Sequence, residues 1–219
     1  MKTTFKTLLV MMCLVTPSLG HAQNGATNVQ IETTRTGLSV DLTALEKGLN
    51  DDISGWSVSN SCGDQIALGD VTLSDSGTTA TASVSLRFWR VQCVSQTEPV
   101  CKGFTCTTQT RTVRTVTYRT SAPINITISA PINQGTPFAM TATANENPSI
   151  AKQFLGNDRY YIDFANRLTT ATQNRLNSIV PQIRTTWRQS PHKGTPLNKT
   201  SRLFLKSPNG SVSFLLTLP

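Results

Sequence analysis

The spacing of hydrophobic positions along this chain changes period several times, and each change predicts an element. Val29, Ile31 and Thr33 alternate with polar neighbours, which predicts a short strand. From Asp41 to Trp56 the period lengthens: Leu42, Leu45, Leu49, Ile53 and Trp56 are spaced three, four, four and three apart. At about 100° per residue these five side chains fall within roughly an 80° arc, which predicts an amphipathic helix. Ser39 or Asp41 can cap its start, and Thr43 and Glu46 stand at capping-box spacing.

Period two then returns. Ile66 and Leu68 lead to Val71 and Leu73, and Ser74 to Thr78 reads as a turn. Ala80, Ala82, Val84, Leu86 and Phe88 take every second position after it, predicting a half-buried strand that runs on to Cys93. A cysteine-tied loop is expected over Gln96 to Thr105. A second long run follows from Cys106 to Thr120, rich in Thr and Arg on both faces, as an edge strand or the cover of a wet surface would be. Pro123 is expected to break it. Ile124, Ile126 and Ile128 alternate next, and Phe138, Met140, Ala142 and Ala144 do so after a turn at Pro131 to Pro137. Asn145 to Pro148 closes the sheet section. From Asp158 to Trp187, Tyr161, Phe164, Leu168, Ile179, Ile183 and Trp187 recur at helical spacings, Arg159, Arg184 and Arg188 take the opposite side, and Pro181 is expected to kink or split the helix. Leu203 to Leu205 and Val212 to Leu218, separated by Ser207 to Gly210, predict a terminal hairpin. The fold class is α+β: a long curved antiparallel β-meander packed against one short and one long amphipathic helix.

The start of the chain points to export. Lys2 and Lys6 precede the apolar stretch Leu8 to Val15, and Gly20-His21-Ala22 has the small residues of a cleavage site, so residues 1–22 read as a signal peptide and 23–219 as one exported domain, periplasmic or secreted. Four cysteines remain after it: Cys62, Cys93, Cys101 and Cys106. An even number in an oxidising compartment favours two disulfides over a zinc site, whose paired two-residue knuckles are missing. A hairpin centred near Ser76 brings Cys62 towards Cys93 and leaves Cys101 with Cys106. Pairing Cys93 with Cys106 and Cys62 with Cys101 is the alternative.

Chemistry is sparse. The exported part holds a single histidine, His192, in a loop with Pro191 and Lys193, and there is no nucleophile elbow, phosphate-cradling loop or calcium-loop spacing. Asp51, Asp52, Asp64, Asp70 and Asp75 read as capping and solvation residues rather than a catalytic carboxylate pair. Neither an enzyme nor a cofactor is expected. Three asparagine sequons, at Asn125, Asn198 and Asn209, matter only in a glycosylating host. The net charge of +8 is unevenly spread: residues 150–219 hold ten cations against Asp158 and Asp163. That basic third could meet an anionic envelope surface. Nucleic acid is not expected, because the nearby aromatics fall on the apolar helical face.

The order of elements, carried by the Leu42–Trp56 stripe, the strands from Ile66 to Ala144 and the Asp158–Trp187 helix, resembles that of the tubular lipid-binding proteins, the superfamily of bactericidal/permeability-increasing protein. The resemblance implies a half-barrel around acyl chains, though the polar run 106–120 and the cysteines depart from it. A non-catalytic exported carrier of a lipid or other apolar ligand is therefore the first functional expectation, with Leu42, Leu45, Leu49, Val84, Leu86, Phe88, Ile126, Phe164 and Leu168 as lining. An envelope interaction protein, binding a partner through an edge strand or the basic helix, is the second. An outer-membrane barrel is disfavoured by the helices and the polar strands.

Overall fold

The structure, a computed structural model, describes residues 26–133, 135–145 and 159–219, and of Tyr118 and Arg159 only the backbone. The expected signal peptide, the end of the sheet section beyond Asn145, and Asp158 lie outside the described residues.

Period-two segments form antiparallel ladders. Strands β1 (Gln30–Thr34), β2 (Gly37–Asp41), β3 (Gly63–Leu68), β4 (Thr72–Asp75), β5 (Thr79–Lys102), β6 (Thr105–Ser129), β7 (Thr141–Ala144), β8 (Ser201–Lys206) and β9 (Val212–Thr217) are interrupted by helices α1 (Thr43–Ile53) and α2 (Arg159–Gln189). One sheet has the order β1-β2-β9-β8, so the chain's first and last described hairpins merge into it. The other runs β3-β5-β6-β7, with β4 beside β3 along the same edge of β5. Both sheets are antiparallel and the architecture is α+β. No helix among the described residues is long and apolar enough to cross a membrane.

Alternation along β5 translates directly into burial. Ala80, Ala82, Val84, Leu86 and Phe88 are buried while their neighbours are not, and Ile124, Ile126 and Ile128 of β6 meet them in register across the ladder. α1 buries Leu45, Leu49 and Ile53, and α2 buries Tyr161, Phe164, Leu168, Leu176, Ile179, Ile183 and Trp187, into one core shared with Phe204, Phe214 and Leu216 of the other sheet. A bidentate ion pair ties the helices together. Arg175 Nε and Nη2 donate to the two carboxylate oxygens of Asp52 at 2.7 and 2.8 Å, and Nη1 donates to Thr27 Oγ1 at 3.0 Å.

Several expectations are corrected. α1 is shorter than Asp41–Trp56; its N-cap position is Leu42, and Asp41 just before it accepts from the Thr43 amide at 2.8 Å. Glu46 closes no capping box; it reaches across to accept from the Leu73 amide at 2.8 Å, because a strand end offers it an otherwise unpaired donor. Asp52 is no solvation residue but half of the interhelical pair. Strand β2 was hidden in the approach to the helix: Leu38 and Val40 alternate for only two buried positions. Pro181 lies inside α2, which continues to Gln189 as one helix. Arg184 does not simply project to solvent, since its Nη2 donates to the Phe138 carbonyl.

The largest correction concerns Gln96–Thr105 and Pro123. There is no wide loop: β5 and β6 stay paired from Thr79/Ser129 to Lys102/Thr105 and turn on Gly103 and Phe104 alone. Gly103 supplies the positive φ of 63° that this two-residue turn needs. Pro99 and Pro123 are tolerated because each sits where its strand has no partner among the described residues on the other side.

Candidate functional site

The paired strands outrun the core. Beyond Arg90 the ladder slips by a bulge and continues for twelve residue pairs, from Val91/Val116 to Lys102/Thr105. At about 3.3 Å per residue this makes an arm about 40 Å long. No residue of it is buried. β3 stops pairing at Val91, and β7 covers β6 only from Ile126, so both edges of the arm carry unpaired backbone groups among the described residues.

Alternation sorts the arm's side chains onto two faces. Ser95, Thr97, Thr108, Thr110 and Thr112 share one with Arg114; Val94, Val100, Val113, Glu98 and Arg111 share the other. Glu98 and Arg111 approach to 3.5 Å, an exposed pair. Val94 and Val116 are exposed hydrophobics, and Phe104 at the tip is fully exposed, at 109% of its reference area.

Two disulfides bracket this element. Cys62–Cys93 fastens the segment before β3 to the arm's base, and Cys101–Cys106 closes its tip. Of the two pairings the sequence left open, the structure has this one. The base carries a further clamp: Arg90 Nε donates to Asp64 Oδ1 at 2.6 Å, and Tyr160 Oη donates to Asp64 Oδ2 at 3.2 Å. The hydrogen bond from Arg90 is the main cause holding the Asp64 carboxyl below the usual carboxylate range; burial opposes it, and the Arg90 charge and Tyr160 reinforce it. Asp64 is therefore an anchor of the arm rather than a capping or solvation residue. Beside it, on the outer sheet face, Trp89 lies in a hollow of about 210 Å³ with Arg87, Val116 and Arg119.

All nine residues expected to line an apolar cavity are brought together, but as core. Leu42, Leu45, Leu49, Val84, Leu86, Phe88, Ile126, Phe164 and Leu168 are each 4% exposed or less and belong to one packed cluster. None lines the hollow beside Trp89, the cleft at the end of α2, or the two shallow depressions beside Pro181 and beside Trp56. His192 Nε2 lies 2.9 Å from the Thr34 carbonyl, and its ring is 5.8 Å from that of Trp187. Among the described residues no group of three or more His, Cys, Asp or Glu is placed to hold a metal ion.

Sequence reasoning missed the arm as a projecting element. The signal was present in the four residues between Cys101 and Cys106, with Gly103 among them, which is a spacing that can close a hairpin tip. Comparison with protein-family models, with curated proteins and with solved structures returns no match.

Proposed function

We propose that this chain is a non-catalytic protein of an oxidising exported compartment that engages a partner protein through its disulfide-tipped arm. The observation that carries the reading is the run of twelve residue pairs outside the core, open among the described residues on both faces and along both edges. An isolated two-stranded ribbon is marginal in water, and open edges invite a further strand. A partner strand added along Gln92–Lys102 or Thr105–Thr115 satisfies those backbone groups. Phe104 is the anchor, because an exposed aromatic at a crosslinked tip is the kind of residue that dominates a small interface once it enters a pocket.

The carrier reading asks for space among the nine core residues, and their close burial supports dry packing instead.

The test is site-specific photo-crosslinking in the cells that make the protein. A photoreactive residue replacing Phe104 is expected to trap one discrete protein, and one replacing the exposed Lys206 on the body is expected to trap none. Equal labelling from both positions, or none from Phe104, refutes the arm reading. Native mass spectrometry of protein purified without detergent provides the second readout: a co-purifying mass extractable into organic solvent restores the carrier.

A further inference from the structure

We propose that the cleft between the end of α2 and the loop 193–198 binds the phosphate group of a small ester, independently of what the arm does. The cleft has a volume of about 470 Å³ and is lined by Arg184, Arg188 and Lys193, with Phe138, Trp187 and Asn198 among the other wall residues. No acidic residue lines it, and the chain carries none after Asp163. Arg184 and Arg188 are one helical turn apart on α2, so their side chains lie on the same side of the helix. Among the described residues none of the three cations is in an ion pair.

A further positive group lies behind the cleft wall. Arg202 on β8 is 7% exposed and donates only to backbone: Nη1 to the carbonyls of Ala130, at 2.8 Å, and Pro131, and Nη2 to that of Leu197 at 3.2 Å. Its guanidinium lies 5.0 Å from the Phe138 ring, and both Phe138 and Leu197 line the cleft. Its Nε is buried without a partner, and so is Asn198 Oδ1 in the cleft wall.

Electrostatics decides the sign of the ligand. A helix C-terminus contributes about half a negative charge and repels anions. Three lining cations without a carboxylate, with Arg202 behind them, outweigh it severalfold. A phosphate ester is favoured over a carboxylate because it presents three oxygens and close to two charges near neutral pH to donors that arrive from α2 and from the loop. The volume exceeds that of a bare phosphate, leaving room for the group that carries it.

The experiment is calorimetric titration of the full exported chain, at low ionic strength, with inorganic phosphate, glycerol phosphate and acetate. Saturable binding of both phosphates, at least about tenfold tighter than acetate and weakened at least about tenfold in Arg188→Glu/Lys193→Glu, is the expected result. Both substituted side chains are exposed, and an unchanged circular-dichroism spectrum verifies that the variant is folded. Competition by phosphatidic acid vesicles, but not phosphatidylcholine ones, identifies a lipid headgroup as the source, and its absence a soluble ester; either leaves the site in place. Equal binding of acetate, no saturable phosphate signal, or binding that the double variant retains overturns it.

Discussion

Replacing Gly48 by alanine sets two local effects against each other. Gly48 lies buried in the middle of α1, where alanine is favoured over glycine by about 1 kcal/mol. A Cβ built there stands 2.1 Å from Arg175 Nη1 and 2.5 Å from its Cζ, so the guanidinium must leave. Leaving breaks both bonds to Asp52 and the bond to Thr27. Hydrogen bonds to charged groups contribute about 1.5–3 kcal/mol each when buried. The Arg175 side chain is 12% exposed but Asp52 is 31% exposed, so solvent recovers part and each of the three bonds is reduced to about 1 kcal/mol. A loss of about 3 kcal/mol against a gain of about 1 kcal/mol leaves Gly48→Ala destabilised by about 2 kcal/mol. For a domain of this size that lowers Tm by about 4–8 °C. In an Arg175→Met background the obstruction is gone, and the same substitution stabilises by about 1 kcal/mol. Urea unfolding of the four proteins, followed by circular dichroism, measures this cycle and its coupling of about 3 kcal/mol. If Gly48→Ala stabilises equally in both backgrounds, Arg175 swings aside at no cost and the reasoning fails.

Substituting Cys62 and Cys93 together by serine opens a loop spanning 31 positions and is expected to cost about 3–4 kcal/mol in a urea melt. The same change at Cys101 and Cys106 should leave that transition almost unmoved, because no core residue lies on the arm, while limited proteolysis after Lys102 accelerates. Asp64→Asn tests the clamp at the arm's base through pH. A depressed carboxyl stabilises the fold above its ordinary unfolded value of about 3.9 and loses that contribution as pH falls through the lower folded value. The variant should therefore be the less stable protein at pH 5 and converge on the parent as the medium is acidified towards pH 2; a difference that stays constant across this range contradicts the clamp. Phe104→Asp should leave Tm unchanged, since the ring touches no core, and should weaken partner capture by a crosslinker placed elsewhere on the arm.

What could be read from the sequence follows what each physical signal encodes. Period two at residues 80–88 marks the side of β5 that faces the core, and those five residues are buried as that pattern requires. The pairing of Asp52 with Arg175, 123 positions apart, leaves no local trace, so Asp52 looked like a helix-end residue. The arm left only a faint trace, for a different reason. A ribbon without a buried face has no hydrophobic period to display, and Pro99 in the arm, like Pro123 nearer the core, mimics a break that a free strand edge tolerates. Its only sequence markers are its β-branched threonines and its cysteines. These markers are themselves the physics of the arm. Cross-strand pairs contribute roughly 0.2–1 kcal/mol each, against roughly 1–2 kcal/mol to order each residue's backbone. With no apolar burial to make up the difference, the ribbon depends on its covalent ties. They stand where burial ends, Cys62–Cys93 at the base and Cys101–Cys106 at the tip. A chain that keeps so exposed an element ordered by crosslinks rather than by packing leaves its faces and edges available to a second molecule.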